Sequence, residues 1–309
     1  MLTATETLDA RLIEKARNLK KQKNCLVLAH NYQTLAVQSI ADYVGDSLEM
    51  ALKATETRHD IILLCGIRIM AETAKLLNPE KKVLLSHAGA GCPLSEMKKL
   101  TDLKILQNRH PEAEVVCYVN ATIDLRAAST VTCTSGNICR IIAALDKERE
   151  IICIPDRNLG NWAAYKTGRD LIMWDGYCSV HDQISAAEVK KVREKFPGHL
   201  LAVHPECSLE VCQLADYVCS TSQMIEYAKE HQKVIIGTEI GLYRQLACHY
   251  PEKELIPLST RMSCADMSKT DLEAAVDTLA GELNEVNIPP LQQEKALRSL
   301  ERMFLLLEK

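Results

Sequence analysis

Three cysteines are spaced evenly along the chain, and this spacing limits the possible folds more than any other feature of the sequence. Cys92 and Cys178 are 86 residues apart, and Cys178 and Cys264 are also 86 residues apart. Each cysteine follows a short apolar run, such as 83–85, and precedes a stretch with helical periodicity. Similarity at a fixed period indicates repeated structural units. The spacing therefore predicts that the three cysteines occupy equivalent strand-to-helix loops.

Other segments recur at nearly the same interval. The phrase at 40–44 returns at 214–218, and strand-like apolar runs occur at 26–30, 115–118 and 200–204. Apolar runs of this length that alternate with helical patterns are typical of βα units with parallel sheets. We therefore expect an α/β fold of three similar small domains. Their parallel sheets should be arranged with pseudo-threefold symmetry around a central cleft.

The repeat also predicts domain boundaries. The first domain comprises 1–88 plus 268–309, the second comprises 89–178 and the third comprises 179–267. The first domain includes an additional amphipathic helix at 290–307. Its expected buried face consists of apolar residues three or four positions apart: Ala296, Leu297, Leu300, Met303 and Phe304.

Composition excludes several classes of function. The 309 residues carry a net charge of −4, and no basic stripe suggests a nucleic-acid partner. No apolar run approaches the roughly 20 residues that a membrane helix needs. The acidic N-terminus does not resemble a signal peptide. The odd count of 13 cysteines argues against a secreted disulfide framework, so we expect a cytoplasmic protein.

The evenly spaced cysteines predict a metal centre. Ligands of parallel α/β sheets bind beyond the carboxyl ends of the strands, where the three thiolates would approach one another. Soft sulfur ligands select iron–sulfur clusters, zinc or Cu(I), and the spacing leaves open a cluster, zinc or no metal. Four further cysteines lie in or beside strand-like runs and should be buried thiols: Cys25, Cys65, Cys117 and Cys153.

Polar residues follow the predicted strands. The triplets at 30–32, 118–120 and 204–206 follow the first strand of each repeat and offer acids, bases or hydrogen-bond donors. Each could instead be a satisfied polar group at a strand end. Hydroxyl residues follow the second strands, where a helix N-terminus can bind an anion or simply be capped: Ser47, Ser135 and Thr221.

An ordered set of motifs resembles the quinolinate synthase family from about residue 12 to the C-terminus. The motifs are Ala29-His30-Asn31-Tyr32, Gly45-Asp46-Ser47, Met70-Ala71-Glu72-Thr73-Ala74-Lys75, Ala90-Gly91-Cys92, Tyr118-Val119-Asn120, Thr134-Ser135-Gly136-Asn137, Pro155-Asp156-Arg157-Asn158-Leu159-Gly160, Trp174-Asp175-Gly176-Tyr177-Cys178, His204-Pro205-Glu206-Cys207, Ser220-Thr221-Ser222, Gly237-Thr238-Glu239-Ile240-Gly241 and Cys264. The resemblance implies a transferase of NAD biosynthesis. Such an enzyme condenses iminoaspartate with dihydroxyacetone phosphate to quinolinate, phosphate and water, with possible functional coupling to L-aspartate oxidase.

The resemblance also implies roles for individual residues. Cys92, Cys178 and Cys264 would hold one [4Fe–4S] cluster per chain, whose open iron acts as a Lewis acid. Glu206 would be the general base beside His204, and Tyr32 and Tyr118 would be an acid or proton-shuttle pair. His181 could line the same cleft or cap a helix. The implied substrate contacts are His30, Ser47, Tyr118, Asn120, Ser135, His204, Glu206 and Thr221.

Two departures from the family pattern stand out. The family often has a second serine where this chain has Gly136, and a proline is replaced in the loop after Cys264. Cys207, Cys212 and Cys219 resemble local variation and not ligands. Three alternative functions remain open from the sequence. They are a metal-binding redox sensor without turnover, an iron–sulfur hydro-lyase acting on another acid, and a metal-free enzyme of sugar phosphates.

Overall fold

The computed structural model of the chain, described here for residues 4–308, contains three four-stranded sheets. Every pairing in them is parallel, which is the arrangement that alternating apolar strands and helices predict. In chain order the strands are β1 Cys25–His30, β2 Tyr43–Gly45, β3 Ile61–Cys65, β4 Lys82–Leu85, β5 Glu114–Tyr118, β6 Val131–Cys133, β7 Ile151–Ile154, β8 Ile172–Met173, β9 Leu200–Val203, β10 Tyr217–Val218, β11 Lys233–Gly237 and β12 Glu254–Pro257.

The three sheets share one strand order. It is β2-β1-β3-β4 in the first sheet, β6-β5-β7-β8 in the second and β10-β9-β11-β12 in the third. The first strand of each repeat is therefore flanked by the second and third strands. The prediction of three similar small α/β domains with parallel sheets is confirmed. In this order the chain changes direction across the sheet beside the first strand, and α/β proteins bind ligands at such switch points.

Helices connect the strands. In chain order they are α1 Ala4–Gln22, α2 Leu35–Gln38, α3 Ser47–Thr55, α4 Arg68–Leu77, α5 Pro93–Glu96, α6 Leu100–Arg109, α7 Ile123–Ala127, α8 Ile138–Ala144, α9 Arg157–Thr167, α10 Ser179–Asp182, α11 Ala186–Lys195, α12 Leu209–Gln213, α13 Thr221–Glu230, α14 Ile240–His249, α15 Leu272–Gly281 and α16 Pro290–Leu307, with a 3₁₀ turn at Met267–Lys269. Within residues 4–308, no helix is both long and apolar enough to cross a membrane.

The chain forms two compact units. Unit 1 contains the residues up to Cys92 together with Cys264–Ile288, and unit 2 contains Pro93–Ser263 together with the residues from Pro289 onward. The first sheet lies in unit 1, where its two faces belong to separate apolar clusters. The second and third sheets lie in unit 2. Strands covered on both faces need apolar side chains at successive positions, as β3 shows with five buried residues in a row.

The C-terminal helix α16 packs in unit 2 against α7, α8 and β6. Its buried face contains the predicted Ala296, Leu300 and Met303, and Ser299 is also buried. The Ser299 hydroxyl is hydrogen-bonded to the hydroxyl of Thr132, 2.9 Å away in β6. This helix therefore covers the second sheet, whereas the sequence-based division placed it with the first repeat. The boundaries between the three repeats stay a prediction.

A partly buried ion pair links α16 to β5, and we expect Glu114→Gln to weaken it. Arg302 donates to both carboxylate oxygens of Glu114, at 2.7 and 2.9 Å. Hydrogen bonding to Arg302 lowers the pKa of Glu114. The carboxylate of Glu114 is nearly buried while Arg302 is one-third exposed. We therefore expect a loss of about 1–2 kcal/mol in the free energy of unfolding at neutral pH.

The pH dependence of this loss follows from the lowered pKa. A carboxylate with a depressed folded-state pKa stabilises the protein above its unfolded value of about 4.3, and the stabilisation is lost as pH falls through the folded-state pKa. Denaturant unfolding should therefore separate wild type from Glu114→Gln at pH 7 and bring them together in acid. Glu112→Gln is the matched control, because its side chain is 86% exposed. A constant difference at all pH values would contradict the ion-pair explanation.

Candidate functional site

Polar side chains follow the first strand of every sheet at equivalent positions. His30 is the last residue of β1, Tyr118 is the last residue of β5, and His204 directly follows β9. All three are buried, with at most 5% of their surface exposed. Their placement at the carboxyl ends of the strands agrees with the sequence analysis. Because these ends coincide with the switch points, the sheets direct them to positions typical of ligand sites.

The predicted anion-binding hydroxyls follow the second strand of each sheet. Ser47 is the first residue of α3 and Thr221 is the first residue of α13, whereas Ser135 lies between β6 and α8. The helix caps are formed by neighbouring residues. Asp46 accepts hydrogen bonds from the first turn of α3, and Ser220 caps α13. Capping therefore does not require Ser47 or Thr221. Their hydroxyls lie at the N-termini of helices, and helix N-termini favour anions.

The three evenly spaced cysteines follow the fourth strand of each sheet. Cys92 follows β4, Cys178 follows β8 and Cys264 follows β12. They are partly exposed, which distinguishes them from most of the other cysteines. Eight cysteines are buried: Cys25, Cys65, Cys117, Cys133, Cys153, Cys207, Cys212 and Cys219. Burial raises the pKa of all eight thiols, so these remain protonated small apolar groups.

In unit 1, the loops of Cys92 and Cys264 are tied together. Asp266 accepts a hydrogen bond from the backbone N–H of Gly91 at 3.2 Å. Lys269 donates to the carbonyl of Gly89 at 2.8 Å and forms an ion pair with Asp266. Both cysteine side chains pack against the same apolar cluster. The loop whose proline is replaced is therefore held by side-chain bonds to the Cys92 loop.

The predicted pair His30 and Tyr32 also lies in unit 1. The Nδ1 atom of His30 accepts a hydrogen bond from the backbone N–H of Tyr32 at 3.2 Å. Their rings meet edge to face with centroids 4.5 Å apart. Because Nδ1 accepts this bond, a neutral His30 ring carries its proton on Nε2.

The buried carboxylate of Glu206 is the centre of the candidate site in unit 2. Its Oε2 atom lies 3.1 Å from Nδ1 of His204 and 3.3 Å from Nδ1 of His181. The two imidazole rings are stacked with centroids 4.7 Å apart. All three residues are at most 4% exposed. A carboxylate between two imidazoles in a dry environment is an arrangement suited to accepting and passing protons.

His181 connects Glu206 to Cys178. Its Nδ1 atom lies 3.3 Å from Sγ of Cys178, and its Nε2 atom lies 3.0 Å from the hydroxyl of Thr238. Burial and the neighbouring His204 lower the pKa of His181 to about 3, against the opposing effect of Glu206. The ring is therefore neutral. One donor atom each from Cys178, His181 and Glu206 lies within 4.8 Å of the others, close enough to hold one metal ion.

A second group of polar residues supports this arrangement and was not assigned a role from the sequence. Asn158 donates to the carbonyl of Glu206 at 3.1 Å and to Asp182 at 2.8 Å. Asp156 accepts from the backbone N–H of Cys178 at 3.0 Å and caps α9. Burial, with the charge of Glu206, raises the pKa of Asp156 well above its usual range. These hydrogen bonds hold the backbone of Glu206 and of Cys178 in place.

The sequence contained a pattern that could have identified the missed residues. Asp156 and Asn158 follow β7 and Thr238 follows β11, so they follow the third strands of the second and third sheets. The rule that located polar residues after the first and second strands applies equally here.

The loop before Cys178 has a further requirement. A Cβ atom on Gly176 would overlap the carbonyl oxygen of Pro155, so glycine is needed for this close approach.

Tyr118 and Asn120 form a hydrogen-bonded pair in unit 2. The amide nitrogen of Asn120 donates to the phenolic oxygen of Tyr118 at 3.0 Å. The other amide atom, Oδ1 of Asn120, is buried and has no hydrogen-bond partner within residues 4–308. Buried polar groups are normally satisfied, so this acceptor is a position where a ligand can supply a donor. The substrate role of Asn120 stays a prediction that this geometry favours.

These features define a class of protein: a three-repeat α/β protein with histidine, tyrosine, carboxylate and cysteine side chains at the carboxyl ends of its strands. The family model described as Quinolinate synthetase A protein matches residues 14–305. A quinolinate synthase of Aquifex aeolicus is 43% identical over 95% of this chain and 93% of its own length. Those of Methanoregula boonei and Alkaliphilus metalliredigens are 42% and 40% identical over 96% of this chain, covering 99% and 98% of their own. The chain belongs to the quinolinate synthase family.

Proposed function

We propose that the chain condenses iminoaspartate with dihydroxyacetone phosphate to form quinolinate, phosphate and water in NAD biosynthesis. The observation that carries the proposal is the match over nearly the whole chain to proteins named quinolinate synthase. Eight of the 13 cysteines are buried and remain protonated thiols, which suits a reducing compartment such as the cytoplasm. L-aspartate oxidase is the proposed functional partner, because it produces iminoaspartate.

Glu206 is the proposed general base. Carbon–carbon bond formation needs a proton removed from the iminoaspartate carbon, and ring closure needs further proton transfers. The carboxylate of Glu206 can accept a proton and pass it to His204, 3.1 Å away. His181, which is neutral, lies 3.3 Å from the same carboxylate oxygen and helps to orient it. In a dry site such a positioned base contributes about 10²–10⁴-fold to the rate.

The remaining predicted residues bind and orient the substrates. Tyr118, which accepts a hydrogen bond from Asn120, can donate its own phenolic proton, and Tyr32 has the corresponding role in the first repeat. Hydroxyls at helix starts suit the phosphate and carboxylates of the two substrates: Ser47, Ser135 and Thr221. His30, at the carboxyl end of β1, is a further proposed contact.

The thiolates of Cys92, Cys178 and Cys264 are the proposed ligands of one [4Fe–4S] cluster. The donor set fits this group, because these thiols are partly exposed after equivalent strands while eight others are buried and protonated. When bound, a cluster with one iron that lacks a protein thiolate supplies a Lewis acid that polarises an oxygen atom. The chain's own residues then supply the proton transfers.

A second candidate is a mononuclear metal site in unit 2. Cys178, His181 and Glu206 present one sulfur, one nitrogen and one oxygen donor within 4.8 Å of one another. Such a mixed set with a short Cys-x-x-His spacing is typical of zinc. The two metal sites share Cys178 but differ in their other ligands. Variants of Cys264 and His181 therefore distinguish them.

The proposed activity is tested by anaerobic purification followed by incubation with iminoaspartate and dihydroxyacetone phosphate. We expect a brown protein that releases quinolinate and phosphate in equal amounts. A brown protein without product would support a redox sensor or a hydro-lyase acting on another acid. A colourless, iron-free protein that still transforms sugar phosphates would support the metal-free alternative.

A further inference from the structure

Unit 2 contains an open cavity of about 490 Å³ on the side of α8 and α9. Residues of α12, β10 and α13 complete its lining. Sites for small molecules have volumes of about 300–1,000 Å³, so this cavity is large enough for a ligand. Of the residues assigned above to substrate binding, only Ser135 reaches it. The rest of the cavity has no role in the proposed reaction.

Three aromatic side chains line the cavity. Trp162 and Tyr165 project from α9 with ring centroids 5.9 Å apart. Tyr217 also lines the cavity and is stacked on Tyr227, with ring centroids 4.7 Å apart. Tyr165 is 57% exposed and Tyr217 is 37% exposed. Exposed aromatic rings in the lining of a cavity provide surfaces on which a flat ring can stack.

The unpaired charge of the cavity is positive. The ammonium of Lys166 lies 5.4 Å from the ring centre of Trp162, and Arg140 donates to the carbonyl of Leu307. Within residues 4–308, neither cation forms an ion pair with a carboxylate. Asp216, the acidic residue of the lining, is already paired with Arg193 at 2.9 Å. An anion is therefore the charge that this cavity favours.

Gly136 links the cavity to the proposed substrate loop. A Cβ atom at this position would lie 3.3 Å from Oγ of Ser220, so a larger residue would crowd this wall. The position is one of the two where the chain departs from the motif. Ser135, the neighbouring residue, is a proposed substrate contact. An occupant of the cavity would therefore rest against the loop that holds the substrate anion.

We propose that this cavity binds a planar aromatic anion. Its ring stacks against Trp162, Tyr165 and Tyr217, and its negative charge is held by Lys166 and Arg140. Pyridine-2,3-dicarboxylate, which is quinolinate itself, and a pyridine or purine mononucleotide share this chemistry. Binding of quinolinate rests on the proposed function, whereas binding of a mononucleotide does not. Binding at the cavity adjusts the Ser135 loop from outside the site of proton transfer.

Cys139 provides a local measure of occupancy. Its thiol is partly exposed in the cavity, and burial raises its pKa, with Lys166 acting in the opposite direction. Alkylation at about pH 8.5 followed by peptide mapping reports its accessibility. Cys248 is exposed and lies outside the cavity lining, so it serves as the internal control. This readout does not depend on turnover. It therefore tests binding in the cavity separately from the proposed reaction.

The experiment uses the anaerobic holoprotein and three probes: pyridine-2,3-dicarboxylate, nicotinamide mononucleotide and inorganic phosphate. We expect one of the aromatic probes to slow alkylation of Cys139 and leave Cys248 unchanged. Trp162→Ala and Lys166→Ala should each raise the concentration needed for half protection at least tenfold, with turnover retained. Lys147→Ala, an exposed lysine outside the lining, should have no effect.

The probes distinguish the two candidate ligands, quinolinate and a mononucleotide. Protection by the dicarboxylate alone identifies the product as the ligand, and protection by the mononucleotide alone identifies a nucleotide. Equal protection by inorganic phosphate would overturn the aromatic assignment. No protection by either aromatic probe, or protection that survives both cavity substitutions, would overturn the proposal.

Discussion

Cys264→Ala protein, purified without oxygen, should contain almost no iron and lack the broad visible absorbance of a cluster. The wild type should contain about four iron atoms per chain. Loss of one of three thiolates removes one of the proposed covalent ligands of the cluster. Turnover should fall below detection, and Cys92→Ala and Cys178→Ala should behave in the same way. Iron and acid-labile sulfide measurements check the expectation.

Two further variants give this experiment its controls. Cys248→Ala removes an exposed thiol outside the proposed ligand set and should retain iron and turnover. His181→Ala removes a ligand of the mononuclear alternative but none of the cluster. If the metal is lost in His181→Ala and kept in Cys264→Ala, the mononuclear site is the correct assignment. Full iron content in Cys264→Ala would also remove that residue from the ligand set.

Glu206→Gln is expected to retain the cluster and lose turnover by about 10²–10⁴-fold. The amide keeps the shape of the carboxylate but cannot accept a proton, so substrates should still bind. The buried position between His204 and His181 makes the loss large, because water has little access to replace the base. Steady-state production of quinolinate measures the effect, and visible absorbance confirms that the cluster is present.

The matched control for this substitution is Glu210→Gln. Glu210 is exposed on the nearby helix α12, so the same chemical change should leave turnover unaltered. The pH profile provides a second readout, since removal of a base should abolish the acidic limb of the rate profile. A Glu206→Gln protein with near-normal turnover would show that another group accepts the proton.

Much of the fold could be predicted from local patterns. The cysteine interval and the recurring apolar runs placed β1, β5 and β9 correctly, and they identified the loops after β4, β8 and β12 as equivalent. These features depend on the repetition of short segments, which the sequence displays directly. The packing of α16 could not be predicted in the same way. An apolar helix face can cover any of the three sheets. Only the tertiary structure shows that α16 packs against β6 of the second sheet.

The candidate site was predicted in part. The residues after the first and second strands were found because polar side chains interrupt an apolar pattern. The role of His181 as the link between Glu206 and Cys178 was missed, and so were the supporting bonds from Asn158. Apart from Cys178 and His181, these partners are separated by 24 or more residues along the chain. Distance along the sequence does not report such contacts.

The sequence by itself determined the threefold repetition, the parallel strands and the types of side chain at the strand ends, because strand and helix periodicity are local properties of the chain. Only the tertiary structure decided which of those side chains meet. The stacked imidazoles of His181 and His204 against Glu206 depend on how the second and third repeats pack in unit 2. Burial decided which thiols stay protonated, since exclusion of water, and not sequence position, disfavours the thiolate.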